Sequence, residues 1–129
     1  AISSPLQRCE RLAHALQALR PDLIYKTDTR LAEMDFGAWD GKPWLDIPRD
    51  EIDAWVADFA GHQPGGGESL CEVLKRAQDW PVKDKGPVVL IAHAGWMLAR
   101  QWVSEHAQAP EGAHLWPKPP SYGQCRPLR

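Results

Sequence analysis

Positive charge is not in surplus in this 129-residue chain: 15 Lys and Arg stand against 17 Asp and Glu, a formal net charge of −2. Binding to nucleic acid or to an anionic membrane needs a basic face, and this balance gives no electrostatic case for either. No apolar run approaches the ~20 residues of a helical membrane span. Cysteine is scarce: Cys9, Cys71 and Cys125 are odd in number and lack metal-ligand spacing, so the pattern indicates neither a disulfide framework nor a metal site. They read as reduced thiols, mostly small apolar fillers. Neither an internal repeat, a low-complexity tract nor a leader-like N-terminal stretch is visible, and a cytoplasmic location is the expectation. What remains is a globular composition, 43% hydrophobic and 25% charged, of a length suited to one domain over residues 1–129. Seven tryptophans and twelve prolines are many for this length and suggest a packed, loop-rich surface.

The most informative stretch is Val88-Val89-Leu90-Ile91-Ala92-His93-Ala94-Gly95-Trp96. Its apolar, β-branched start predicts a strand buried on both faces, as in a parallel sheet flanked by helices. The strand stops at His93, and Leu98, Ala99, Trp102, Val103 and His106 mark a helix from about Trp96 to Ala107. A strand end that meets a helix start is the usual place for a site in an open α/β sheet, and the helix N-terminus offers unpaired N–H groups to an anion. His93 is therefore a candidate ligand; capping or packing at the strand end is the alternative.

The start of the chain repeats this geometry. Ala1-Ile2-Ser3-Ser4 reads as the tail of a strand. Ser4-Pro5 then opens a helix to about Arg20, with Cys9, Leu12, Ala13, Leu16 and Leu19 at helical spacing. Arg8 in its first turn opposes the helix dipole, so local structure does not favour it. It is placed to grip an anion bidentately, or it is an ordinary surface arginine. Residues 22–26 form a short strand candidate. Leu31-Ala32-Glu33-Met34-Asp35-Phe36-Gly37-Ala38-Trp39-Asp40-Gly41 has no period and reads as a structured loop. Glu33 is a candidate general acid if its carboxyl sits near a phosphate; solvated loop charge is the alternative for Glu33, Asp35 and Asp40.

Further on, Ile52, Trp55, Val56 and Phe59 predict a short helix. Gly65-Gly66-Gly67 matches neither a P-loop nor a dinucleotide fingerprint and reads as a flexible turn. Ser69 and Glu72 form a capping box for a helix to about Asp79, with Leu70, Val73, Leu74 and Ala77 as its stripe. Pro81 and residues 83–87 end it. Residues 109–121 are an irregular loop, and residues 122–129 form a last strand, at an edge given Pro127. His14, His62, His106 and His114 have no partner at ligand spacing and read as structural or solvated.

Four separated pieces, Ser3-Ser4-Pro5-Leu6-Gln7-Arg8, the loop from Leu31 to Gly41, Gly66-Gly67-Glu68-Ser69 and His93-Ala94-Gly95, stand in an order that resembles the histidine phosphatase superfamily, the phosphoglycerate mutase-like fold. Among its branches the chain looks most similar to the α-ribazole and broad-specificity phosphatases. The resemblance implies a three-layer α/β/α domain with a mostly parallel sheet. It also implies phosphomonoester hydrolysis of a small phosphorylated metabolite, for example α-ribazole 5'-phosphate, through a phosphohistidine, without metal or other cofactor. Arg8 matches the family's phosphate-binding arginine, Glu33 the proton donor, and His93 the second histidine, which steadies the phosphoryl oxygens beside the amides of Ala94 and Gly95.

One element departs from the family pattern. The family begins with a strand ending in Arg-His-Gly, whose histidine is the nucleophile, and no Arg-His-Gly occurs in these residues. The reading is thus of a domain lacking its first strand, which would lie beside residues 88–92, and of a chain inactive on its own. A homodimer that covers the open strand is one expected partner state. The alternatives are a phosphoglycerate mutase, or a non-catalytic phosphate-binding protein that has lost the nucleophile. Residues 39–65 and 109–121 are expected to set substrate selectivity.

Overall fold

Three strand–loop junctions share one sheet edge in the computed structural model, which describes residues 1–81 and 88–128. The elements are β1 (Ile2–Ser3), α1 (Gln7–Leu19), β2 (Lys26–Thr27), α2 (Arg49–Ala57), α3 (Leu70–Gln78), β3 (Leu90–Ile91) and α4 (Ala94–Glu105), with short 3₁₀ turns between them. The strands are parallel in the order β2-β1-β3, with Ile2 opposite Lys26 and Leu90, and Ser3 opposite Thr27 and Ile91. The ladder continues beyond them: Ser4 N–H donates to the Ile91 carbonyl at 2.8 Å and Asp28 N–H to the Ser3 carbonyl at 2.9 Å.

Two cores lie on the two faces of this sheet, because successive strand side chains point to opposite sides. Ile91 packs with Cys9 and Ala13 of α1. Its neighbour Leu90 packs, with Ile2, against the larger cluster of Leu31, Met34, Leu70, Val73, Leu74, Ala77, Trp80, Trp96, Ala99 and Trp102. Helix α1 therefore covers one face and the α3–α4 pair the other, a three-layer α/β/α arrangement of the expected kind. Arg100 ties the helix pair together by donating to the Ala77 carbonyl at 2.9 Å.

The α3 start agrees with the sequence, whereas α1 begins at Gln7, after the expected Ser4-Pro5 opening, and α4 at Ala94, two residues before the expected Trp96. Ser69 Oγ accepts from the Glu72 N–H at 3.3 Å, the first half of the expected capping box. Several other expectations need correction. Residues 122–128 form no strand; they are exposed and no described strand lies beside them to complete a ladder. The apolar run 88–92 is not buried along its length: Val88 is 52% and Val89 46% exposed, because β3 is an edge of the described sheet. On α1, Leu12 and Leu19 face solvent while only Cys9 and Ala13 are buried. The second strand forms at Lys26–Thr27 and overlaps the predicted residues 22–26 only at Lys26. The predicted helix end at residues 83–87 lies outside the described residues.

The three-glycine segment is not a flexible turn. It is interlocked with the preceding loop: added Cβ atoms at Gly37, Gly65 and Gly67 would all fall on the facing backbone, and Gly37 and Gly65 have positive φ. Beside it, Trp39, Trp44, Trp55, Phe36 and Phe59 form a continuous aromatic cluster, reached from residues 109–121 by Trp116 at 6.1 Å from Phe59. Among the described residues no helix is long and apolar enough to cross a membrane.

Candidate active site

Each strand of a parallel sheet ends on the same edge, so the segments that leave the three strands must converge there. Arg8 comes after β1, Glu33 after β2 and His93 after β3. The structure brings them together. Arg8 Nε donates to His93 Nδ1 at 3.2 Å, and Glu33 Oε2 accepts from the N–H of Gly95, two residues past His93, at 3.4 Å.

His93 is 6% exposed and sits at the N-cap of α4. Its partners select its tautomer. An arginine only donates, so Nδ1 must accept and the neutral ring carries its proton on Nε2. That N–H meets Ser4 Oγ at 2.8 Å, with Cys9 Sγ at 3.4 Å from the same nitrogen. Burial, then the charges of Arg8 and Arg76, pull the His93 pKa down to about 4. The ring is thus a neutral hydrogen-bond donor near pH 7, not a cation. Cys9 donates to the Ala92 carbonyl at 3.5 Å, and burial pushes its thiol pKa up, so it stays protonated.

Arg8 is exposed and, among the described residues, its guanidinium meets protein through Nε alone. Its two terminal amino groups make no hydrogen bond to protein among the described residues, and such a fork suits two oxyanion oxygens. The ring of His93 fixes the near end of that fork.

Glu33 is half-buried and uses both carboxylate oxygens locally, Oε1 for the Met34 N–H at 3.0 Å and Oε2 for Gly95. It supplies the negative group that the N-terminus of α4 favours, since the His93 side chain gives that helix no cap bond. Gly95 permits this approach: a Cβ there would overlap Glu33 Oε1. The Gly95 amide, expected to face a phosphate, is engaged by the chain's own carboxylate. Ala94 is exposed at the first position of α4.

Ser4 and Cys9 also belong to the site but read in the sequence as a helix opener and an apolar filler. Their positions beside Arg8 were the available signal. Arg76 is mid-helix on α3 and had no signal. It reaches Glu68 and the backbone flanking Glu33. No group of three or more His, Cys, Asp or Glu side chains among the described residues is placed to hold a metal ion.

Residues 1–116 match the profile of the histidine phosphatase superfamily, branch 1. The glucosyl-3-phosphoglycerate phosphatase of Mycobacterium tuberculosis is 34% identical over 113 residues, covering 76% of this chain and 50% of its own length. A bifunctional protein of the same organism is 36% identical over 81 residues, 60% of this chain and 21% of its own. Among solved structures, the complex of mycobacterial glucosyl-3-phosphoglycerate phosphatase with inorganic phosphate superposes with a TM-score of 0.59 at 34% identity, covering 76% of this chain and 54% of that one. The structure of mycobacterial hydrolase 1 gives the same TM-score, over 52% of its chain. The chain belongs to the histidine phosphatase superfamily. It spans about half the length of the phosphatase relatives it matches.

Proposed function

We propose that the protein hydrolyses phosphomonoesters of a small metabolite, with Arg8, His93 and Glu33 as its catalytic residues in this chain. The observation that carries the reading is the Arg8–His93 contact of 3.2 Å, which leaves the guanidinium fork free beside a buried, proton-bearing imidazole. In this reading the phosphoryl oxygens are held by the Arg8 amino groups, by the Ala94 amide at the start of α4 and by His93 once its Nε2–H is released from Ser4 Oγ, while the Gly95 amide holds Glu33. Phosphoryl transfer depends mainly on such positioning and charge stabilisation.

A histidine outside these 129 residues forms the N–P bond as the P–O bond to the leaving group breaks. Glu33 takes a proton from the monoanionic phosphate group of the substrate and passes it to the leaving oxygen. Water then forms a P–O bond as the N–P bond breaks, and its proton returns to Glu33. Glu33 keeps its Met34 and Gly95 amide partners while the phosphate is bound beside it. No step in this sequence uses a metal or cofactor.

Two substrates merit assay first. The relatives' name favours glucosyl-3-phosphoglycerate, and the motif resemblance suggests α-ribazole 5'-phosphate. Exposed, unpaired Cys71 and Cys125 support a cytoplasmic setting. The decisive measurement is phosphate release by the complete natural chain from both esters and from p-nitrophenyl phosphate. Phosphohistidine should be trapped on rapid quench, and Arg8→Ala and His93→Ala should each abolish turnover. Phosphate transfer to an acceptor without release would instead mark a mutase. Stabilisation by inorganic phosphate with no turnover would mark a binding protein.

A further inference from the structure

We propose that Arg76 and Glu68 are positioning residues for the acid: their ion pair clamps the backbone on both sides of Glu33 and so fixes its carboxyl at the N-terminus of α4. The proposal rests on Glu33 being the proton donor.

Glu33 lies on chain with no ladder of its own. The 3₁₀ turn Thr29–Leu31 ends just before it, and residues 32–36 are irregular. Outside groups must hold such a segment. Arg76 Nη1 donates to the Arg30 carbonyl at 3.1 Å and to the Ala32 carbonyl at 2.7 Å. Its Nη2 donates to both oxygens of Glu68, at 2.9 and 3.2 Å. Glu68 then holds the far side: its N–H donates to the Asp35 carbonyl at 2.7 Å, and its Oε1 accepts the Asp35 N–H at 2.9 Å.

The residues before and after Glu33 are thus tied to one bidentate pair. Its side chains are only 20% and 24% exposed, so solvent screens it weakly. Helix α3 carries the arginine, and α4, packed against α3, carries the amide that Glu33 meets. One helix pair therefore sets both ends of the acid's position. A lysine at 76 could not replace the planar fork, which serves two carbonyls and a carboxylate at once.

The test uses Arg76→Lys and Glu68→Gln in the complete natural chain, with Glu33→Gln as reference. The structural readout is amide exchange at Met34 and Gly95, the two donors to Glu33. Both variants should speed exchange there about tenfold while the α4 core amides of Leu98 and Ala99 are unchanged. The chemical readout compares an alkyl phosphate, whose leaving oxygen needs a proton, with p-nitrophenyl phosphate, whose leaving oxygen does not. Each variant should lose about 10- to 100-fold in kcat on the alkyl ester and less than threefold on the aryl ester, with KM steady. Added to Glu33→Gln, neither should cause a further loss. Unchanged exchange at Met34 and Gly95, or equal losses on both esters, overturns the clamp. If Glu33→Gln itself spares the alkyl ester, the proton-donor reading fails, and the exchange result alone then decides whether the clamp exists.

Discussion

Replacing Gly95 by alanine should leave the fold intact and remove the acid. The backbone at Gly95 is helical, with no positive φ, so alanine fits the main chain without strain. The added Cβ would overlap Glu33 Oε1 and come within 3.0 Å of Cδ and 3.3 Å of Oε2. Every near neighbour is thus the end of one flexible side chain, and that carboxylate must swing away. Loss of its interaction with the α4 N-terminus costs about 0.3–1 kcal/mol. Alanine restores up to ~1 kcal/mol through helix propensity. The two nearly cancel, so stability should stay within about 1 kcal/mol of the parent.

Catalysis has no such compensation. A displacement on the order of 1 Å at a reacting group costs about 100-fold, or ~2.7 kcal/mol in the barrier. The assay is kcat on an alkyl phosphate and on p-nitrophenyl phosphate, beside a thermal melt. Gly95→Ala should lose about two decades on the alkyl ester, far less on the aryl ester, and keep its melting temperature. Undiminished alkyl-ester turnover in a folded variant would refute the placement of Glu33 against this amide. A collapsed melting temperature would refute the claim that only the carboxylate has to move.

The remaining predictions concern stability. His93 has a folded pKa of about 4, below its unfolded value of about 6.5, so the unfolded chain binds the extra proton between those values. Its stabilising contribution is therefore complete above about pH 6.5 and is lost as pH falls towards 4. Urea titrations of the parent and of His93→Gln should show the gap between them narrowing by roughly 3 kcal/mol over that window, and a constant gap would rule the linkage out. Gly65→Ala places a Cβ against the Phe36 carbonyl, 2.8 Å from the Trp39 nitrogen, at a φ of +63°. Left-handed strain and overlap with backbone together should cost about 2–5 kcal/mol, read as a lower urea midpoint. Ser69→Ala removes the cap of α3 and should cost about 1 kcal/mol, with the alkyl-to-aryl activity ratio unchanged.

Local chemistry made part of this molecule legible. Period and capping set the helices: the Ser69 cap, the leucine–valine stripe of α3 and the stop before Pro21 are short-range effects that any window of sequence contains. The order of the motifs also carried the family, since Arg8, Glu33 and His93 each come after a strand whose direction the fold class fixes. Burial was less legible. Whether Leu12, Leu19, Val88 or Val89 is covered depends on which element lies opposite, and an apolar pattern does not name its partner. The proposed last strand failed for the same reason, as residues 122–128 have no neighbouring strand to pair with.

The site shows the same division. Residue type and order, taken with the family resemblance, singled out an arginine, a glutamate and a histidine in segments that follow three strands, and parallel strands deliver such segments to one edge. Only the tertiary structure decided their states. Arg8 against Nδ1 selects the tautomer of His93, and burial with two nearby guanidinium groups keeps it neutral. The missing side chain of Gly95 admits Glu33 to the helix end, and Arg76 and Glu68, 43 and 35 positions further along, hold the backbone around it. Hydrogen bonds and electrostatic fields act over a few ångströms of space without regard to distance along the chain, so spacing in the sequence could not reveal them.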